Sequence, residues 1–188
     1  VPDAVAAFAA RHPGVSIDLR TLHSEELVEA LQARTSDIVI GYDAPRHPRL
    51  APVMLGTGQI VLLFRRQDIP DPPERIALED VRHLRVIELL NDGTIGRLLS
   101  RRQPTADDGA PVIQTKTYFV AAALVERGLG VAIMDEFTAR ACASEAMDYR
   151  PLNEAMRFDV IAAHLEDRPL STVSHHFLEC VRGALATR

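Results

Sequence analysis

Apolar positions along this chain change their period several times, and each change marks an element. Ala4, Val5 and Phe8 fall on one helical face of residues 3–11, and His12-Pro13-Gly14 stops that helix by ordinary breaker chemistry. Val15, Ile17 and Leu19 then alternate with Ser16, Asp18 and Arg20, which predicts a half-buried strand. Ser24 is placed to cap a helix whose inner face is Leu27, Val28 and Leu31. The short apolar run from Asp37 to Gly41 predicts a buried parallel strand. Two further strands are expected around Leu50–Leu55 and Gln59–Phe64.

A break follows. Pro70, Pro72 and Pro73 exclude helix and central strand and make residues 68–73 the best linker in the chain. Beyond it the alternation restarts. Strands are expected at Leu84–Leu90, Pro111–Gln114, Gly130–Met134 and Phe158–Leu165. Helices are expected after the turn Asn91-Asp92-Gly93-Thr94, from Tyr118 to Arg127, from Glu136, and from Ser171 to about Ala186. The order is that of an α/β chain of two Rossmann-like βα lobes joined by a two-segment hinge. Lobe I is residues 1–70 plus 152–188, and lobe II is residues 71–151. Two-lobed sheets of this kind bind small ligands in the cleft between the lobes.

Composition narrows the class. With 188 residues, 47% apolar and 25% charged, the chain can bury a core. No apolar run reaches the roughly 18–20 residues a membrane helix needs, so no membrane partner is expected. The first residues show no charged region ahead of an apolar stretch, and no secretory signal is read there. A net charge of −5 argues against phosphate-backbone binding by these residues. The two cysteines, Cys142 and Cys180, are far apart and form no disulfide framework, which favours a reducing cytoplasm.

The motifs of common enzymes are missing. There is no GxSxG, Walker A or HExxH pattern, and no catalytic residues are assigned. Gly128-Leu129-Gly130 resembles part of a dinucleotide fingerprint, but it precedes a strand and lacks the third glycine; it reads better as a helix C-cap. No cofactor is expected. His12, His23, His47, His83 and His164 read as isolated. His175 and His176 are adjacent and diverge on a helix, and Cys180 at helical spacing from His176 makes at most a pair. No metal site is assigned.

Three strand-to-helix turns carry better-placed polar residues. They are Leu22-His23-Ser24, Asn91-Asp92-Gly93-Thr94 and Gln114-Thr115-Lys116-Thr117. A helix N-terminus presents unpaired N–H groups and partial positive charge to an anion. The plainer reading is that Ser24, Thr94 and Thr117 cap their own helices. Lys116, the single lysine, could neutralise a bound carboxylate or simply lie on the surface.

The run FAARHPGVSIDLRTLHSEELVEALQARTSDIVIG, from Phe8, resembles the start of the effector-binding domain of LysR-type transcriptional regulators. Phe8, His12-Pro13-Gly14-Val15, Ile17, Leu19, Ser24, Leu27, Leu31 and Asp37–Ile40 occupy that family's pattern. Leu124 to Asp135 resembles its second-lobe helix and strand, and the closing run from Phe158 resembles its last strand and helix.

The resemblance implies a two-lobed fold like that of type 2 periplasmic-binding proteins. It implies a cytoplasmic regulator that binds a small-molecule effector, and the helix N-termini point to a small carboxylate or an amino acid. It also implies dimers and tetramers built through helices near 25–33 and 118–127. DNA contact would come only through a winged helix-turn-helix ahead of Val1. The ligand-binding positions it carries over are Ser24, Tyr42, Asp92, Gly93, Thr94, Thr115 and Thr117. Asp135 departs from the family, which places Pro there, and would bring a carboxylate near the cleft rim. A periplasmic-type solute-binding protein is the alternative, with an enzyme a distant third.

Overall fold

The computed structural model describes residues 1–22, 24–43, 47–89 and 113–186. In chain order its elements are α1 (Pro2–Arg11), α2 (Ser24–Gln32), β1 (Val39–Tyr42), β2 (Leu50–Arg65), a 3-10 turn (Leu78–Val81), β3 (Val86–Leu89), β4 (Ile113–Thr115), α3 (Tyr118–Glu126), β5 (Val131–Asp135), α4 (Glu136–Cys142), β6 (Met147–Pro151), β7 (Arg157–Leu165) and α5 (Thr172–Ala186). They form two compact units. Unit 1 is Val1–Thr57 with Asp159–Arg188, and unit 2 is Gly58–Phe158. The chain passes between them inside β2 and inside β7.

In unit 1, Pro2 opens α1, where a missing N–H costs nothing, and Asp3 and Arg11 complement the helix dipole at its two ends. Ala4 and Phe8, one turn apart, are buried against α5. There the Phe8 ring meets Phe177 edge-on at 5.4 Å between centroids. Ser171 caps α5, its Oγ accepting from the Ser174 N–H at 3.1 Å. Below α2, Leu31, Val39, Leu50 and Ala163 form a small core.

Two expectations for this unit are corrected. The strand after Asp37 is antiparallel, not parallel: β1 pairs with β7 from Val39↔Ala163 to Tyr42↔Val160. Its neighbour is the returning C-terminal strand, which no local pattern could orient. Residues 15–19 form no strand among the described residues, and Val15, Ile17 and Leu19 stay 38%, 36% and 59% exposed. Alternation selects a face, but a strand also needs a partner backbone.

In unit 2, the second half of β2 is central. Ile60 to Phe64 are buried on both faces. β5 pairs antiparallel on one side (Ile60↔Asp135 to Leu63↔Ala132), and β6 antiparallel on the other (Val61↔Pro151 to Arg65↔Met147). β3 lies parallel to both β5 and β4. α3 and α4 cover the sheet with Ala121, Val125 and Ala139 over Leu63, Ile87 and Met134.

The strands expected at 50–55 and 59–64 are one continuous strand, because Gly56 and Gly58 are extended, not turned. Gly58 is there for space: a Cβ would lie 2.5 Å from the Phe158 ring and 2.6 Å from Phe137. β6 is short and largely polar, so no apolar pattern predicts it. The Pro-rich segment is irregular, as expected. It ends where the Ile76 N–H donates to the Pro151 carbonyl at 2.9 Å.

Gly128-Leu129-Gly130 is a helix-ending turn. Gly128 (φ +77°) and Leu129 donate to the carbonyls of Val125 and Leu124 at 2.8 and 3.1 Å, closing α3 with a left-handed cap. Gly130 (φ +149°) lets β5 start against β3, with the Val131 N–H on the Arg85 carbonyl at 2.8 Å.

Candidate ligand-binding site

The positions expected to meet a ligand fall at strand ends and helix starts. In unit 1, Ser24 is the first residue of α2. Tyr42 is the last residue of β1 and is half-buried. The chain turns immediately after it. Asp43 sits at φ +54°, donates its N–H to the Asp159 carbonyl at 2.8 Å, and accepts the Asp159 N–H on Oδ1 at 3.2 Å. This reciprocal pair fixes the end of β1 against β7.

In unit 2, Thr115 ends β4 and Thr117 occupies the N-cap of α3. The Thr117 side chain makes no capping bond. Its N–H instead donates to Thr115 Oγ1 at 3.3 Å, closing a hydroxyl turn. The expectation that Thr117 caps its own helix is therefore corrected: it holds the position without making the bond. Lys116 is exposed between them. Gln114 Nε2 donates to Glu88 Oε2 at 2.8 Å, tying β4 to β3. Asp92, Gly93 and Thr94 lie outside the described residues.

A second polar cluster in unit 2, at the β5–α4 junction, left no sequence signal in its spacing. Asp135 is fully buried. Its Oδ1 accepts the Thr138 N–H at 2.8 Å and so caps α4, while Oδ2 is buried with no hydrogen-bond partner among the described residues. The rim carboxylate expected at this position is corrected to a buried cap. Glu136 accepts the Gln59 N–H on Oε1 at 3.0 Å and Gln59 Nε2 on Oε2 at 3.2 Å. Burial, then the charges of Asp135 and Glu126, push the Cys142 thiol up from its ordinary range.

The folded chain also joins His12 to His176, two residues the sequence reads as unrelated. His176 Nδ1 lies 3.2 Å from His12 Nε2.

Two shallow concavities among the described residues each lie within one unit. One of about 280 Å³ in unit 2 is lined by Asp68, His83, Arg85 and the Gly128–Val131 turn. One of about 260 Å³ in unit 1 lies between Arg20, Leu22 and the outer face of α2. Neither is lined by Tyr42, Thr115 or Thr117. No described helix is long and apolar enough to cross a membrane.

Against known proteins, residues 1–186 match the LysR substrate binding domain family. A curated relative, the HTH-type transcriptional regulator DgcR of Pseudoalteromonas sp., is 27% identical over 179 residues. Those residues are 95% of this chain but 62% of DgcR, so the chain spans about three fifths of that relative. Among solved structures, HinK, a LysR family transcriptional regulator from Pseudomonas aeruginosa, superposes with a TM-score of 0.75 at 16% identity, covering 97% of this chain and 65% of HinK. The effector binding domain of a BenM variant gives 0.73 at 16% identity, covering 99% of this chain and 88% of that domain.

Proposed function

Since the chain belongs to the LysR substrate binding domain family and carries its α/β fold, like that of type 2 periplasmic-binding proteins, we propose that it is the ligand-sensing part of a LysR-type transcriptional regulator. In this reading a small effector, a carboxylate or an amino acid, sits between a lobe built from both ends of the chain and a lobe built from its middle. The effector's differential affinity for the closed form shifts a multimer between operator-bound arrangements. The regulator works in the cytoplasm, assembles into dimers and tetramers, reaches DNA through a separate helix-turn-helix, and catalyses nothing.

One observation supports the ligand class. Thr117 stands at the N-cap of a nine-residue helix and makes no side-chain bond to it. The Thr117 hydroxyl is thus not committed to the helix, and the positive end of the α3 dipole beside it favours a carboxylate. Thr115 and Thr117 in one unit, and Ser24 and Tyr42 in the other, are the side chains expected to frame it, with Asp92, Gly93 and Thr94.

Isothermal titration of the chain with a panel of small carboxylates and amino acids tests this. A saturable binder is expected, with affinity reduced at least tenfold by Thr117→Val or Ser24→Ala. Absence of any binder at millimolar concentration would overturn the reading.

A further inference from the structure

We propose that His12 and His176 form a two-imidazole binding site on unit 1 for a borderline divalent cation, Zn²⁺, Ni²⁺ or Cu²⁺. The pair joins the C-cap of α1 to the first turns of α5, residues far apart in the chain. The two rings turn their nitrogens toward each other. His176 Nδ1 and His12 Nε2 are 3.2 Å apart, while the ring centroids are 5.1 Å apart and the planes differ by 24°. In a tetrahedral Zn²⁺ site, with Zn–N of about 2.0–2.1 Å, neighbouring imidazole nitrogens stand about 3.3–3.4 Å apart. The observed spacing needs only a small opening to reach that value.

Without an ion the contact is a hydrogen bond, so one of the facing nitrogens carries the proton and the other accepts it. Ligation needs a lone pair from both. The donor ring therefore moves the proton of its facing nitrogen to its outward nitrogen, which frees that lone pair for the ion.

The rings are held before any ion arrives. The His12 ring lies 4.7 Å from Phe8, and the Phe8 ring is fixed in turn against Phe177. The His12 backbone donates to the Phe8 carbonyl at 2.9 Å. Much of the ordering that a ligand pair usually loses on binding is thus already in place. Both histidines are half-buried, which leaves water access to complete the coordination. His12 also stands where the carbonyl end of α1 favours positive charge.

The described residues hold no group of three or more histidine, cysteine or carboxylate side chains placed to hold an ion. The site is therefore open and of modest affinity. Two nitrogen ligands select against Mg²⁺ and Ca²⁺, which prefer oxygen, and favour Cu²⁺ over Zn²⁺.

Calorimetric titration of the tag-free chain with ZnCl₂, NiCl₂ and MgCl₂ in a non-coordinating buffer tests the proposal. Expected are one saturable Zn²⁺ or Ni²⁺ event per chain in the micromolar range, no Mg²⁺ event, and a thermal midpoint raised by Zn²⁺. His12→Asn and His176→Gln, each checked by circular dichroism for folding, should weaken Zn²⁺ binding at least tenfold. In the unaltered chain the ring ¹⁵N signals of His12 and His176 should shift together as Zn²⁺ is added. The proposal is overturned if either variant binds Zn²⁺ as the unaltered chain does. It is equally overturned if those two rings stay silent while Zn²⁺ binds, or if no Zn²⁺ or Ni²⁺ binds at all.

Discussion

Gln59 satisfies both carboxylate oxygens of Glu136, its backbone N–H reaching Oε1 at 3.0 Å and its side-chain amide reaching Oε2 at 3.2 Å. The pair fastens the start of α4 to β2. Glu136→Ala removes the acceptor of a strand N–H and should lower stability by about 1–3 kcal/mol. Glu136→Gln keeps one acceptor and should cost less. Urea unfolding of the two variants ranks them, and the reverse order would contradict this account.

Asp135 makes a complementary case, because one oxygen caps α4 and the other has no partner among the described residues. Asp135→Ala loses the α4 cap and should cost about 1 kcal/mol. Asp135→Asn keeps the capping oxygen and removes a buried charge, so it should fall well short of that loss. Thermal midpoints of the two variants, compared at one pH, distinguish a cap from a charge requirement.

Three glycines should respond very differently to a single added methyl group. At Gly130 a Cβ would lie 2.2 Å from the Arg85 carbonyl oxygen, and φ is already +149°. Backbone cannot yield cheaply there, so Gly130→Ala should destabilise by at least about 3 kcal/mol. At Gly58 the Cβ meets rings at 2.5–2.6 Å, and overpacking should cost about 1–3 kcal/mol. At Gly183, inside α5 with open space around it, Ala should stabilise by about 0.5–1 kcal/mol. Chemical denaturation of the three variants gives the order directly.

Cys142 should react slowly. Its raised pKa means less thiolate at neutral pH than an ordinary cysteine carries. Modification by Ellman's reagent should accelerate only as pH climbs above the usual thiol range, and Asp135→Asn should speed it. The sign for stability follows: the native thiol keeps its proton after the unfolded one has lost it, so stability falls as pH rises through that range.

Phe119 and Val120 on α3 are 64% and 47% exposed, on a helix whose other face supplies core. In the proposed assembly this surface lies against another subunit. Phe119→Glu should then shift the chain toward monomer in sedimentation velocity while leaving its melting temperature within about 1 °C. An unchanged sedimentation profile for an oligomeric chain would move the interface elsewhere.

The sequence was informative where structure is local. The helix at 118–126, its Gly128 end and the buried run at 131–135 follow from period and cap chemistry alone. So does the irregular Pro-rich segment. What it could not carry was pairing at a distance. The antiparallel partner of β1 arrives with β7, and the polar edge strand β6 has too weak an apolar pattern to be seen before its pairing with β2. The same holds for the side chains that meet across the fold. Nothing in the spacing joins Gln59 to Glu136 or His12 to His176, whereas Thr115 and Thr117 sit beside each other in both chain and structure.

The arrangement of β2 also sets a timetable for synthesis. Val61 needs Met134 on one side and Pro151 on the other, and Val39 needs Ala163. Few of these contacts are close in sequence, so loop closure must precede most of the reward of burial. A ribosome that has delivered this chain as far as residue 100 has supplied the central strand of unit 2 without either of the strands that pair with it. Neither unit can complete its sheet until the polymerised chain has passed Pro151 and Leu165. Until then the row Ile60 to Phe64, the most apolar stretch of the core, emerges unpaired, and holding it apart from other nascent chains falls to whatever chaperone meets the exit tunnel.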